Sequence, residues 1–176
     1  MTSADSLHDA AVVAVWAVWL GAPAPAGSAL RTLISSEEMR RADRFAYPHL
    51  RAAYEVSHGV LRLLLSQYLK CGPRDLEFTF GNAGKPALRG DSRLRFNMSH
   101  SGQLAVYAFT ADCEIGIDIE EVRHTPDVEA IAQHYFCGAE ASQLLDIDGE
   151  KQRQEAFFRC WTRKESYIKA IGEGLS

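Results

Sequence analysis

Residues 94–120 read LRFNMSHSGQLAVYAFTADCEIGIDIE, and their pattern decides the fold. Leu94 to Met98 and Leu104 to Thr110 are short runs rich in apolar, aromatic and β-branched residues, which predict strands. Ser99-His100-Ser101-Gly102 joins them, a polar link with a turn glycine. Ile115 to Glu120 alternates apolar and polar residues and predicts a third strand. Short links between such runs favour antiparallel pairing, because parallel neighbours need long crossovers.

Upstream, Leu76 to Phe80 alternates as a strand and Gly81-Asn82-Ala83-Gly84-Lys85-Pro86 reads as a turn. A helix is predicted from about His49 to Lys70, with Tyr54, Leu61, Leu65 and Tyr68 on one buried stripe and Gly72-Pro73 as its stop. Ser35 or Ser36 is placed to cap a shorter helix running toward Phe45, closed by Pro48. Val12 to Leu20 predicts a first strand, closed by Gly21-Ala22-Pro23-Ala24-Pro25. After Arg123 the pattern becomes helical: Val128 to Phe136, Ala139 to Leu145 and Gln154 to Ile171, with Gly172 and Gly174 as terminators. Strands first and helices last predict an α+β fold. A boundary near Glu121 to Pro126 divides the chain into an N-terminal lobe, 1–120, and a C-terminal lobe, 121–176.

The 176 residues suit one domain or two small packed lobes, and 47% apolar content supplies a core. A net charge of −4 gives no field for nucleic acid, so an anionic ligand must be held by a local basic cluster. The most apolar run, Ala10 to Leu20, is too short for a membrane span. Asp5 and Asp9 precede it without Lys or Arg, the wrong charge for a secretory leader. Cys71, Cys113, Cys137 and Cys160 form no C-x-x-C pair and read as reduced, mostly buried thiols of a cytosolic protein; a catalytic cysteine or a zinc site is the alternative.

Three constellations carry chemistry. On a strand, Ile115, Ile117 and Ile119 face one way, and Gly116, Asp118 and Glu120 the other. The isoleucines anchor a core. Two adjacent carboxylates repel and invite a cation, with the glycine leaving room for a ligand, and a few oxygen ligands suit Mg²⁺; a solvated strand face is the other reading. Within the last helix, Phe157, Trp161, Ile168 and Ile171 make an apolar face with Lys164 in its middle, Glu165 at its border and Lys169 one turn beyond, in i,i+4 reach of Glu165. Lys164 needs a partner or an anion there, unless it snorkels to solvent. Lastly, Gly84-Lys85-Pro86 and Asn97-Met98-Ser99-His100-Ser101-Gly102 gather small, hydroxyl and cationic residues able to receive phosphate. No G-x-x-x-x-G-K-[ST] occurs, so no P-loop is present. Arg40, Arg41, Arg44, Arg51 and Arg62 add phosphate partners or form an ordinary solvated helix face.

In chain order Gly-Lys-Pro, Asn-x-Ser-His-Ser, Gly-Ile-Asp-Ile-Glu and Trp-x-x-Lys-Glu-Ser-x-x-Lys resemble the 4′-phosphopantetheinyl transferases of the surfactin-synthetase type, from about Trp16 to Ser176. The resemblance implies two similar α/β lobes related by a pseudo-twofold axis, a monomer built as a pseudo-dimer, with coenzyme A in the cleft. It implies Mg²⁺ on Asp118, Glu120 and Glu165, and Lys164 and Lys169 near the pyrophosphate. It implies coenzyme A contacts from Lys85, Ser99 and His100, with His100 near a phosphate, and from Arg41, Arg44 and Arg51 near the 3′-phosphate and adenine. Glu140 matches a further acidic position, after Tyr135-Phe136-Cys137, where Cys137 replaces a helix-capping serine and weakens the cap by about 1 kcal/mol.

The implied reaction moves 4′-phosphopantetheine from coenzyme A to a serine of an apo acyl or peptidyl carrier protein, releasing 3′,5′-ADP, with Glu165 or a metal-bound water as base. The family continues past Gly-Leu-Ser into further strands of the second lobe, whereas this sequence stops at Ser176. A non-catalytic carrier-protein or nucleotide-binding module on the same scaffold is the alternative. A metal-dependent phosphohydrolase fits less well, since the six histidines form no dense metal cluster.

Overall fold

The structure is a computed structural model that describes residues 12–21, 29–90 and 92–173. Strand β1 (Ala14–Trp19) is followed by helices α1 (Ser36–Ala42) and α2 (Pro48–Leu69). A 3-10 turn (Pro73–Asp75) leads to β2 (Phe78–Phe80), β3 (Pro86–Leu88), β4 (Leu94–Ser101) and β5 (Leu104–Ala111), then to helices α3 (Val128–Tyr135), α4 (Gly138–Leu145) and α5 (Glu150–Ile171). One antiparallel sheet has the order β1-β5-β4, and β2 and β3 form a separate antiparallel pair. The α+β class expected from the sequence is borne out.

The β4–β5 hairpin is tighter than the sequence indicated. Ser99, His100 and Ser101 belong to β4, and Ser101 pairs with Leu104 across a turn in which Gly102 has φ +55. Strand alternation then assigns side chains to faces. Phe96, Met98 and His100 lie on the face toward α2. Asn97, Ser99 and Ser101 lie on the opposite face.

Helix α2 covers the first face with Val56, Leu61, Leu64 and Leu65, packed with Phe96, Tyr107 and Phe109 in one core. Of the stripe expected on α2, Tyr54, Leu61 and Leu65 are buried and Tyr68 is partly so, its hydroxyl accepting from Trp16 Nε1 at 3.2 Å. Helix α1 starts on a capping box: Glu38 N–H donates to Ser35 Oγ (3.2 Å) and Ser35 N–H to Glu38 Oε2 (2.7 Å). It ends at Ala42, and Pro48 opens α2 instead of closing α1. Helices α3, α4 and α5 bury a second apolar cluster, around Ala132, Phe136, Leu144, Phe157 and Phe158.

Three further expectations need correction. Pro86 is the first residue of β3, not merely the end of a turn; proline tolerates a strand's first position. The segment from Ile115 to Glu120 joins no sheet ladder, so it is not a strand of either sheet. The thiols are free but not mostly buried: Cys71, Cys113 and Cys137 are exposed and Cys160 is partly buried. Those three sit where elements end, just after α2, just after β5 and at the N-cap of α4, and such positions lie at the surface. Glu140 Oε2 still accepts from Cys137 N–H at 2.9 Å, which completes one half of a capping box on α4. Gly172, with φ +75, ends α5 as expected, whereas Gly174 and most of the Gly21–Pro25 loop lie outside the described residues. Among the described residues no helix is long and apolar enough to cross a membrane.

Candidate active site

The 114–121 segment reaches β4 through side chains. Ile117 N–H donates to Asn97 Oδ1 (2.9 Å) and Glu121 N–H to Ser101 Oγ (3.0 Å). Ser99 Oγ donates to Asp118 Oδ1 (2.8 Å), and Ser101 Oγ donates to Glu120 Oε2 (3.1 Å). Both carboxylates thus point at the polar face of β4. Gly116 has a different role from the ligand space expected of it. A Cβ there would collide with the α5 backbone at the Ser166 carbonyl and the Ala170 nitrogen, so the missing side chain lets the helix pack on the segment.

Helix α5 brings the remaining charges. Lys169 Nζ donates to Asp118 Oδ1 (2.6 Å) and to Ser99 Oγ (3.0 Å). The i,i+4 contact expected with Glu165 is not made; Lys169 instead bridges across elements to Asp118, whose side chain is 3% exposed and would otherwise be a buried charge without a cation. Asp118 Oδ2 and Glu165 Oε1 are both buried without a hydrogen-bond partner. Desolvation pushes the Glu165 carboxyl above its usual range; Asp118 and Glu120 push it the same way, and Lys169 opposes them. The helix thus sets a third carboxylate against the pair.

Lys164 has the partner its position demanded: Glu140 Oε2 at 2.8 Å, with the Phe136 ring 5.5 Å from its ammonium. It borders a groove of about 600 Å³ lined by Tyr135, Phe136, Leu144, Trp161 and Glu165. That groove does not include Asp118, Glu120 or Ser99, so Glu165 stands between it and the carboxylate pair.

Lys85 donates to Glu114 Oε2 (2.7 Å) and to the Ala170 carbonyl (2.9 Å), tying the β2–β3 turn to the last turn of α5. His100, on the opposite face of β4 from Ser99, is held below its usual pKa by desolvation and then by His58 and Lys169, with Glu120 opposing. His58 lies on α2, stacked on Tyr54 with ring centroids 3.9 Å apart and bonded to Glu38 Oε1 at 3.1 Å.

The basic residues divide. Arg62, offered as a phosphate partner, is buried: it bonds Glu38 Oε2 (2.6 Å) and the Pro73 (2.7 Å) and Leu76 (3.1 Å) carbonyls, and is part of the core's support. Arg51 lies 3.8 Å from both Asp43 and Glu55. Arg41 sits over the Tyr54 ring at 5.9 Å, and Arg44 is exposed. Neither Arg41 nor Arg44 has an acidic partner among the described residues, and no hydrogen bond or ion pair joins Arg41, Arg44 or Arg51 to Ser99, His100 or Asp118 there. Glu114 had no assigned role on sequence grounds; Asn97 and Ser101, grouped there with residues able to receive phosphate, bond the 117–121 segment instead, and the period-two spacing Asn-x-Ser-x-Ser was the available signal.

Residues 114–176 match the 4′-phosphopantetheinyl transferase superfamily, and residues 21–112 match the N-terminal part of a 4′-phosphopantetheinyl transferase. The chain belongs to the 4′-phosphopantetheinyl transferase superfamily.

Among its relatives in that superfamily is the 4′-phosphopantetheinyl transferase HetI of Nostoc sp. (strain PCC 7120), 38% identical over 93% of this chain and 70% of HetI. The 4′-phosphopantetheinyl transferase Sfp of Bacillus subtilis (strain 168) is 34% identical over 82% of this chain and 63% of Sfp. The chain thus spans less than two thirds of Sfp's length. A solved holo-(acyl-carrier-protein) synthase from Bacillus anthracis str. Ames, in complex with CoA (3′,5′-ADP), aligns with 55% of this chain and 91% of its own at TM-score 0.40 and 15% identity, too low to place any residue.

Proposed function

We propose that this chain transfers 4′-phosphopantetheine from coenzyme A to a serine hydroxyl of an acyl or peptidyl carrier protein, releasing 3′,5′-ADP, in a magnesium-dependent reaction. The observation that carries this is the meeting of Asp118 and Glu165 with one buried, unpartnered carboxylate oxygen each. Buried carboxylate oxygens are seldom left without a partner, and a divalent cation satisfies both at once. Among the described residues no three His, Cys, Asp or Glu side chains already stand close enough to enclose a metal ion. The donor set nonetheless fits magnesium, which takes one or two carboxylates and completes its shell with water and phosphate oxygens. Asp118, Glu120 and Glu165 would hold it, and it would supply Lewis-acid stabilisation of the pyrophosphate.

The chain's own groups do the rest. Glu165, whose proton affinity is raised by desolvation, accepts the proton of the carrier serine. The serine oxygen forms the new bond to the β-phosphorus, which bears pantetheine, and the bond from that phosphorus to the 3′,5′-ADP oxygen breaks. Lys169 and Lys164 offset charge growing on the 5′-phosphate of the departing 3′,5′-ADP; Lys164 is free to exchange its partly exposed partner Glu140 for phosphate. We assign Lys85, Ser99 and His100 to coenzyme A contacts, and Arg41, Arg44 and Arg51 to its 3′-phosphate and adenine. Arg41 and Arg44, exposed and without acidic partners among the described residues, support this best. We further propose that the chain divides near residue 120 into two lobes, which its two separate apolar clusters support. It would act in the cytoplasm as a monomer.

Incubating the protein with coenzyme A, Mg²⁺ and an apo carrier protein, then weighing the carrier, tests the reading. A gain of one phosphopantetheine per carrier supports transfer. Binding without a mass change assigns a non-catalytic module, and free phosphate assigns a hydrolase.

A further inference from the structure

The segment that bears Asp118 and Glu120 has no main-chain ladder to hold it, yet its position decides where both carboxylates aim. Its backbone is tied at two points, and these bracket the pair. Ile117, immediately before Asp118, donates its N–H to Asn97 Oδ1 at 2.9 Å. Glu121, immediately after Glu120, donates its N–H to Ser101 Oγ at 3.0 Å. Asn97 is 4% exposed, so its amide is committed to this contact and not to solvent. Ser101 works in both directions, accepting from Glu121 N–H and donating to Glu120 Oε2 at 3.1 Å. A hydroxyl does this in the space of two heavy atoms; a methyl group does neither.

We propose that Asn97 and Ser101 are positioning residues that clamp the 117–121 backbone against β4 and thereby fix the direction of the Asp118 and Glu120 carboxylates toward a shared cation. Asp118 shows why direction matters. Its Oδ1 is occupied by Ser99 and Lys169, while its Oδ2 is left over. A turn of the segment would change which oxygen is left over; Ser99 and Lys169 hold the Asp118 side chain, whereas Asn97 and Ser101 supply the hydrogen bonds that reach the backbone itself. The proposal rests on the transferase reading for its catalytic consequence; the geometric clamp stands apart from it.

The test uses the full chain and the variants Asn97→Ala, Ser101→Ala and Ser101→Thr, with three readouts. Native-state amide exchange by NMR should quicken at Ile117 in Asn97→Ala and at Glu121 in Ser101→Ala, about tenfold or more, with β5 amides unchanged. Mn²⁺ binding followed by electron paramagnetic resonance should weaken about 10–100-fold in both alanine variants, as for lost outer contacts of metal ligands. In transfer assays kcat should fall and the Mg²⁺ requirement rise, while KM for coenzyme A stays within about threefold. Ser101→Thr keeps the hydroxyl and should behave as wild type in all three; a merely structural role for Ser101 would not separate Thr from Ala in this way. The proposal is overturned if Ser101→Ala leaves Glu121 exchange and Mn²⁺ affinity unchanged, if Ser101→Thr loses as much as Ser101→Ala, or if the wild type binds no Mn²⁺. Should Asn97→Ala fail to fold, the Ser101 pair decides alone. A wild type that binds Mn²⁺ but modifies no carrier defeats the transferase reading, and the exchange and Mn²⁺ results still judge the clamp.

Discussion

Along β4, Phe96 and Met98 turn toward α2 and the apolar core, while Asn97, Ser99 and Ser101 turn toward the 114–121 segment. The first face is held by area: Phe96 is 3% exposed and packs beside the Phe78 ring at 5.7 Å. The second is held by hydrogen bonds to two backbone amides and two carboxylates, and one oxygen of those carboxylates, Asp118 Oδ2, remains unpartnered. One strand therefore serves stability on one side and chemistry on the other. The two sides should respond to substitution in opposite ways.

The largest separation is expected at Glu165. Glu165→Gln removes the proposed base and one cation ligand, so turnover should fall about 10²–10⁴-fold. Because Glu165 Oε1 is buried without a partner, relieving its charge should leave the melting temperature equal or higher. A variant that melts early with unchanged turnover per folded molecule would erase the contrast. On the other face, Phe96→Ala should cost about 3–5 kcal/mol in urea unfolding, the range for emptying an aromatic core position. The folded fraction should retain wild-type KM for coenzyme A. A coenzyme A defect in folded Phe96→Ala would show that the faces are coupled.

The core side also has an acid limit. Burial alone would raise the Glu38 carboxyl, but the His58 bond, the Ser35 backbone and hydroxyl contacts and Arg62 outweigh it and hold it at about 2. A carboxyl held below its unfolded value adds stability in full above that value, near 4.5, and loses it as pH falls toward 2. The contribution is roughly 3 kcal/mol. Glu38→Gln should remove that pH-dependent part, flattening the unfolding free energy between pH 5 and pH 2 by about that amount; an unchanged acid profile would refute the assignment. The smallest effect is expected where the faces meet α5. Gly116→Ala forces the helix backbone to move, for about 1–3 kcal/mol of stability. By separating Asp118 from Lys169 it should also lower turnover more than the same stability loss at Phe96 does.

Much of this was legible in the sequence. Runs of apolar, aromatic and β-branched residues identified β4, β5 and β1, and the Tyr54-Leu61-Leu65 stripe identified α2, because apolar patterning reports what packs. The chemistry-bearing residues Asp118, Glu120, Lys164, Glu165 and Lys169 stood out as charges inside apolar patterns. The partners did not. Lys169 could be placed one turn from Glu165, but only the packing of α5 on Gly116 puts it on Asp118 instead. Ile115 to Glu120 has a strand's alternation without a strand's pairing, since side chains of β4 take the place of main-chain bonds, and periodicity does not distinguish the two. Arg62 looked like its basic neighbours until the packing of α1 buried it against Glu38.

The most direct measurement is the initial rate of phosphopantetheine transfer to an apo carrier protein, followed by intact mass, for the wild type and Asp118→Ala at saturating coenzyme A and excess Mg²⁺. The account predicts one added phosphopantetheine per carrier for the wild type. It predicts a rate at least about a thousandfold lower for the variant, several kcal/mol of transition-state stabilisation, with the circular dichroism of the two alike. An unmodified carrier with the wild type, or wild-type turnover by Asp118→Ala, would contradict it.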